Sequence, residues 1–269
     1  MSSQAPLDHA RVLEATLDIA RGAGRLLMEH FGKLRPEQIT SKSVERDLVT
    51  AADLACERWV VPRLRELFPQ HAIESEEETV DPARGADELR WFLDPIDGTV
   101  NFVHQLPSFC ISMGLYRGTS PELGVVHAPR LGETFWATLG GGAFLDGRQL
   151  HVSRTRELKD AILATGFPYE RSQAANNNLE NFGRFFHEIR GERRFGSAAL
   201  DLCYVAAGRF DGYWELQLSP HDVAAGALLV REAGGVITDA DGGENWLRGG
   251  HIVAAGPDLH EQIRARVRH

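Results

Sequence analysis

Cysteine is scarce in this chain: Cys56, Cys110 and Cys203 are the three, far apart and odd in number among 269 residues. No CxxC pair occurs, so neither a thiolate zinc site nor a disulfide framework is indicated. Each cysteine sits in an apolar or helical context and reads as a small core residue. Apolar runs of about 18 residues, the length a membrane span needs, are missing, and MSSQAPLDHA has no basic stretch leading into an apolar one. The expectation is a cytoplasmic, reduced protein away from the membrane. Positive charge is in deficit, with 29 Lys and Arg against 38 Asp and Glu and a formal net charge of -9. That argues against nucleic acid as a partner held by bulk electrostatics, and leaves acid available for divalent cations. Nucleotide loops are absent too: no GxGxxG opens a helix and no GxxxxGK[ST] exists. Gly140-Gly141-Gly142 falls in a hairpin region and reads as a turn.

What remains is the composition of an ordinary enzyme, 43% hydrophobic, long enough for a sizeable core. Apolar spacing from about Leu7 to Phe31 predicts one long amphipathic helix ending at Gly32. KLRPEQITSKSVERD reads as loop or short edge strand. A second helix is predicted from about Leu48 to Phe68, with Pro62 kinking or restarting it. The segments HAIES, RWFLDP, FCISMGLYR, LGVVHAP and ETFWATLGGGAFLDG alternate with turns and predict a largely antiparallel sheet. The last hundred residues alternate strand (162–168), helices (178–190, 196–208), strand FDGYWEL, helix (222–233), strands GVITD and HIVAAG, and a closing helix (259–268). No linker, low-complexity tract or repeat intervenes. The fold class expected is α/β, an α+β sandwich of alternating helix and sheet layers. An N-terminal part over 1–150 carries most candidate ligands, and a C-terminal part over 151–269 completes a site in the crevice between them.

The stretch WFLDPIDGTVNF (91–102) drives an apolar strand into two carboxylates, Asp94 and Asp97, and then turns. Asp-Pro and Asp-Gly are ordinary turn dipeptides, which is the plain explanation. Other acidic groups also sit at element ends: Glu76, Glu77 and Glu78 after HAIES, Asp47 and Asp53 in DLVTAAD, Glu215 closing a strand, and Asp222 opening a helix. Singly, these could be a solvated loop, an exposed helical residue, or an N-terminal residue favoured by the helix dipole. Together they suggest hard-cation chemistry, since oxygen ligands without His or Cys suit Mg²⁺ or Mn²⁺. The turn can aim Asp94, Asp97 and the Ile96 carbonyl at one spot. Gly98 and Thr99 then supply N–H groups for a phosphate beside the cations, the arrangement metal-assisted phosphate ester hydrolysis needs.

DPIDGT with its lead-in WFL, and HDVAAGALLVREAGG, resemble the two signature motifs of the inositol monophosphatase family. DLVTAAD, SEE and HIVAAG match intermediate blocks, so the resemblance covers nearly the whole chain, and GSAALDLCYVAAGRFDGYWE is similar to the bacterial inositol-1-monophosphatase branch. The resemblance implies that family's sugar-phosphatase fold. It also implies a Mg²⁺-dependent, lithium-sensitive phosphatase of inositol 1-phosphate or similar polyol phosphates. Two to three ions per site (Mn²⁺ possible), a small phosphate monoester as partner and a homodimer come with it. Position by position, Glu76, Asp94 and the Ile96 carbonyl would bind the first metal, Asp94, Asp97 and Asp222 the second, and a third ion would sit near Glu76. Asp53 and Thr99 would orient and deprotonate the attacking water, Glu76 would belong to the catalytic set, and Glu77 would support it. The N–H groups of Gly98 and Thr99 would receive phosphate. Gly196, Ser197, Ala198 and Glu215 would contact the alcohol, and Lys42 would support the metal site. Histidinol phosphate or a 3′-phosphoadenosine nucleotide would use the same site, and an interaction platform is the alternative from another class. Two departures stand out: His221 where the family usually carries tryptophan, and Ser75 where glycine is frequent.

Overall fold

The computed structural model describes residues 7–269 other than 43, 84, 171, 173 and 175. The leader reading of residues 1–6, and residue 43 of the KLRPEQITSKSVERD stretch, lie outside it. Chain order begins α1 (His9–His30), β1 (Ile39–Ser41), β2 (Leu48–Thr50), α2 (Ala51–Leu67), β3 (Ala72–Ser75), β4 (Leu89–Asp97) and α3 (Thr99–Val103). It continues through β5 (Cys110–Arg117), β6 (Ser120–Ala128), β7 (Glu133–Thr138), β8 (Gly142–Leu145), β9 (Arg148–Gln149), β10 (Ile162–Thr165), α4 (Leu179–Phe186) and β11 (Gly191–Arg193). It closes with α5 (Ala198–Ala206), β12 (Gly212–Leu216), α6 (Pro220–Glu232), β13 (Val236–Thr238), α7 (Trp246–Gly249), β14 (His251–Ala255) and α8 (Pro257–Arg264).

The Asp8 side chain caps α1 by accepting from Arg11 N at 3.1 Å, and a buried stripe of Val12, Ile19, Ala20, Ala23 and Leu27 turns that helix toward the core. Strands β3 to β9 lie side by side in sequence order as one seven-stranded sheet. Its pairs are antiparallel except β3–β4, so the antiparallel expectation holds through the middle of the chain. The second sheet, ordered β11-β10-β12-β14-β13, is mixed: β10 runs parallel to β11 and β12, while β14 is antiparallel to β12 and β13. Helices α1 and α2 pack on one face of the first sheet and α6 on the other. Helix α6 pairs with α5, which meets the second sheet, and α8 covers that sheet's far side. The layers therefore alternate helix, sheet, helix, sheet, helix. Apolar clusters fill the spaces: Leu27, Val60 and Met113 on the α1/α2 side, Leu202, Leu228 and Tyr213 between the sheets, Trp214 and Ile263 beneath α8.

Local differences from the expectation have local causes. Helix α2 starts at Ala51 because Leu48–Thr50 pairs with Ile39–Ser41 in a two-stranded ladder. It runs through Pro62 as one element. The missing N–H leaves the Arg58 carbonyl without its intrahelical donor, but buried Val60, Val61 and Leu64 hold the segment against the core. Strand β11 and helix α7, three and four residues long, are too short for any periodicity to announce. All three cysteines are free and buried, as their contexts indicated. Among the described residues no helix is long and apolar enough to cross a membrane.

Helix α6 sits unusually near the sheet beneath it. A Cβ on Gly114 would stand 2.7 Å from Ala224 Cβ, and one on Gly124 would stand 2.7 Å from the Ala225 carbonyl oxygen. Glycine in these strands is what allows the backbone approach. G124A is expected to destabilise the fold by about 1–3 kcal/mol through overpacking, read as a lower urea midpoint with unchanged slope. An unshifted midpoint would show that the contact is not tight.

Candidate metal centre

Strand β4 carries Trp91, Phe92 and Leu93 into the core and ends on Asp94 and Asp97. Its register with β5 shifts between those two aspartates, a bulge that re-aims side chains where the strand finishes. Asp222 arrives from the first turn of α6, in a capping box with Ser219. Ser219 N and Oγ donate to Asp222 Oδ2 at 2.7 and 2.8 Å. The result is a cluster in which carboxylate oxygens of Asp94, Asp97 and Asp222 all lie within 4.8 Å of one another. Each is anchored on one oxygen: Ile96 N donates to Asp94 Oδ1 at 2.9 Å, and Ser197 Oγ and Ala199 N each donate to Asp97 Oδ2 at 2.7 Å. Among the described residues no hydrogen-bond donor reaches the second oxygen of Asp97 or Asp222.

The same capping device places Asp53. It occupies the third position of α2, where Thr50 N and Thr50 Oγ1 donate to its Oδ2 at 2.8 and 2.6 Å. Its Oδ1 lies 3.1 Å from Thr99 Oγ1, which is also 3.0 Å from the Ile96 carbonyl. Thr99 reaches this point because Gly98 turns the chain at φ 97°, where an added Cβ would stand 2.9 Å from the Ser108 carbonyl oxygen. Glu76 lies just past β3. Lys42 Nζ bonds Glu76 Oε1 at 2.8 Å and Glu77 Oε1 at 2.7 Å. Asp47 precedes β2 rather than fronting the helix, and its carbonyl accepts from Lys42 N at 2.7 Å.

Beside the carboxylates, a recess of about 70 Å³ is lined by Asp97, Gly196, Ser197, Ala198, Glu215 and Asp222, with Tyr169, Arg194 and Gln217 among its further lining residues. The Tyr213 hydroxyl donates to Glu215 Oε2 at 2.5 Å. Ser197 caps α5, and Gly196 turns into it at φ 81°. His221 fits against Phe92, its Nδ1 3.2 Å from Ser219 Oγ and its Nε2 buried without a hydrogen-bond partner among the described residues. Ser75 donates from Oγ to Glu57 Oε2 at 2.6 Å.

Several supporting residues had no signal in the sequence reading. Buried Glu57, one more glutamate in a helix, also accepts from Glu77 N and Glu78 N and so fixes the loop that carries Glu76. Asn101 Nδ2 bonds the Phe195 carbonyl at 2.7 Å, tying α3 to the turn before α5. Thr50 and Ser219 could have been found by the S/T-x-x-D spacing, which marks a helix start.

Burial raises the pKa of every carboxyl in the cluster, and neighbouring charge adds to it. Asp94 is pushed well above the usual carboxylate range by burial, then by Glu76, Asp97 and Asp222. Burial lifts Asp97 to about 6 against the bonds from Ser197 and Ala199. Asp222 keeps part of its surface at the recess, yet burial, Glu76 and Asp97 raise it to about 7. Burial brings Asp53 to about 6 in spite of the Thr50 and Thr99 bonds. Burial disfavours the Lys42 ammonium, but Glu76 and Glu77 outweigh it and raise its pKa. Buried acids that repel one another, all-oxygen and free of His and Cys, fit a hard divalent cation.

A model of the inositol monophosphatase family matches residues 8–269. Over 259 residues the chain is 41% identical to a protein of Escherichia coli K12 named Nus factor SuhB, covering 96% of each. The crystal structure of the extragenic suppressor protein SuhB from Bartonella henselae superposes with a TM-score of 0.89 at 36% identity, over 95% of this chain and 98% of that one. The inositol monophosphatase of Anabaena sp. PCC 7120 superposes with a TM-score of 0.87 at 38% identity, over 97% and 96%.

The raised carboxylates set a pH dependence for metal-free protein. Folded Asp53, Asp97 and Asp222 titrate near 6 to 7, against ordinary values of 3.8. Between those limits the folded state binds more protons than the unfolded chain, so stability falls as pH rises. The contribution is whole below about pH 4 and gone above about pH 7, with a size of roughly a few kcal/mol for each group. EDTA-treated protein is expected to lose urea resistance from pH 5 to pH 8. Added Mg²⁺ should flatten that slope and slow amide exchange over residues 76–99; a slope indifferent to Mg²⁺ would contradict the metal assignment.

Proposed function

The chain belongs to the inositol monophosphatase family, and on that premise we propose that it is a Mg²⁺-dependent phosphomonoesterase of inositol 1-phosphate or similar polyol phosphates. The observation that carries the reading is the convergence of Asp94, Asp97 and Asp222 within 4.8 Å, beside a hydroxyl–carboxylate pair formed by Thr99 and Asp53. Two or three Mg²⁺ ions would be held by Glu76, Asp94, Asp97, Asp222 and the Ile96 carbonyl, Mn²⁺ being an acceptable substitute. When bound, such ions supply positive charge to the phosphate and to the leaving oxygen, and make water more acidic.

The chain's own residues do the rest. The recess between Gly196–Ala198 and Glu215 takes the alcohol, while the N–H groups of Gly98 and Thr99 receive phosphate oxygens. Water adds to phosphorus as the ester P–O bond breaks, its second proton staying on the phosphate, and the departing oxygen takes a proton from solvent to leave as the alcohol. One proton of that water passes to Thr99 Oγ1 as the threonine's own proton moves to Asp53 Oδ1. Asp53 suits this task because Thr50 holds its Oδ2, leaving Oδ1 toward the threonine. Its pKa near 6 keeps it an ionised acceptor at neutral pH. Lys42 keeps Glu76 and Glu77 together at the mouth of the site. A homodimer is part of the same reading, to be checked by light scattering.

Phosphate release measured with Mg²⁺ tests the reaction, on inositol 1-phosphate, histidinol phosphate and a 3′-phosphoadenosine nucleotide side by side. The polyol ester is expected to be the best of the three and Li⁺ to inhibit. T99A should lower kcat by about 10²- to 10⁴-fold through loss of proton transfer, and D94N by about 10²- to 10³-fold through loss of charge stabilisation. Turnover that survives EDTA or D94N would remove the reading.

The relatives' name favours a second role. The Escherichia coli K12 protein, 41% identical across 96% of this chain, is named a Nus factor, and this chain would share that function beside catalysis. D94N restoring a deletion strain as well as wild type does would separate that role from turnover, and failure to do so would tie the phenotype to catalysis.

A further inference from the structure

Three of the acids have close neighbours in sequence that meet one another outside the site. Phe92 precedes Asp94 by two residues in β4, so both face one side of the sheet. Glu74 precedes Glu76 by two and stands opposite Phe92 in the β3–β4 register. His221 immediately precedes Asp222. Its ring meets Phe92 edge-on at 6.5 Å between centroids, and its Nε2 lies 4.0 Å from Glu74 Oε1. Ser112 Oγ donates to the His221 carbonyl at 3.3 Å.

Arg248 covers this patch from α7. Its Nη1 and Nη2 donate to Glu74 Oε1 and Oε2 at 2.7 and 2.8 Å, and the guanidinium carbon lies 5.1 Å from the centre of the Phe92 ring. A fork of this kind fixes direction as well as distance. The arm is well seated, because Trp246 and Leu247 of the same short helix are buried. Arg90 comes only within 3.5 Å of Glu74 and is committed to Glu88 at 2.6 and 2.8 Å. Glu74 and Arg248 are 174 residues apart, so the fork joins the stretch of chain that carries Glu76 and Asp94 to the one that carries Asp222.

Glu76 needs such a restraint. It lies beyond the last residue of β3, with its side chain 31% exposed. After burial, its charge is the largest influence raising the pKa of Asp94 and of Asp222, so without a cation repulsion drives the end of β3 outward. Lys42 holds the Glu76 side chain, and Glu57 holds the loop from α2. Only the Arg248 fork acts from the side of α6 and α7 among these three. Glu76 N donates to the Leu93 carbonyl at 3.0 Å, so the ladder continues from a pinned Glu74 to Glu76 itself.

We propose that Arg248 is a positioning residue for the metal centre: through Glu74 it pins the end of β3, so that Glu76 is held toward Asp94 and Asp222 before a divalent cation binds. This rests on the phosphatase reading above, in which Glu76 is a metal ligand.

The test is calorimetric titration of Mg²⁺ into EDTA-treated full chain, with no substrate present. R248A is expected to raise the Mg²⁺ Kd by about 10- to 100-fold, the usual cost of losing a group that orients a ligand. Amide exchange over residues 74–78 of the metal-free protein should quicken. At saturating Mg²⁺, kcat on inositol 1-phosphate should stay within about twofold of wild type. R248K keeps the charge without the fork and should recover only a small part of the affinity. E74Q removes the same fork, so E74Q/R248A should bind Mg²⁺ no more weakly than the poorer single variant.

The sign of the change separates geometry from charge. Loss of a cation near a cation site would by charge alone tighten Mg²⁺ binding, so an unchanged or lower Kd in R248A overturns the proposal. Additive losses in E74Q/R248A also overturn it, because Arg248 would then not act through Glu74. A weaker Kd accompanied by a general fall in urea resistance would mean a structural role and overturns it too. Wild-type protein that takes up no Mg²⁺ overturns the phosphatase reading and this proposal together, whereas normal wild-type uptake and turnover with an indifferent R248A overturns this one alone.

Discussion

Mutual repulsion among enclosed carboxyls is the constraint around which this molecule is arranged. Asp94, Asp97 and Asp222 come from two elements far apart in sequence and meet where the burial of the first two and partial burial of the third weaken screening by water. Each is restrained by neutral donors on one oxygen, which fixes its direction without cancelling its charge. A lysine or arginine at the centre would have relieved the strain and also closed the site. The Lys42 ammonium, at the edge of the site, is taken up by Glu76 and Glu77.

The layers explain how such a cluster can be built. Four elements bring their ends together: β4 from the first sheet, α6 from the middle helical layer, α2 from the outer one and β12 from the second sheet. Two of the acids, Asp53 and Asp222, use one local device. Each occupies the third position of a helix whose capping threonine or serine binds it back. Helix starts are defined by backbone donors, so an acid there is positioned by local geometry before any tertiary contact forms.

Much of this was legible in the sequence, for physical reasons that differ from residue to residue. Asp94, Asp97 and the glycine that follows act through one turn, so their spacing carries the information. Asp53 and Asp222 were readable as helix-start acids, but only the family motifs assembled them with the turn. Glu57 was not readable: in AADLACERWV it looks like a solvent-facing helical residue, and it is buried only because the loop after β3 folds back onto it. Arg194 was invisible for the same reason, since a recess made by β12, α5 and the chain after β10 has no one-dimensional signature. Pro62 does not restart the helix, because its cost is local while the packing that outweighs it is not.

The approach of α6 to the sheet at Gly114 and Gly124 has a wider consequence. Asp222 is referred to Asp94 and Asp97 by helix backbone and the Ala224 methyl resting directly on strand glycines. The recess beside the carboxylates, by contrast, is framed by connecting residues such as Tyr169, Arg194 and Gln217. The molecule thus seats its acids on a close-packed helix–sheet contact and walls the neighbouring recess with connectors, whose side chains can change without moving that contact.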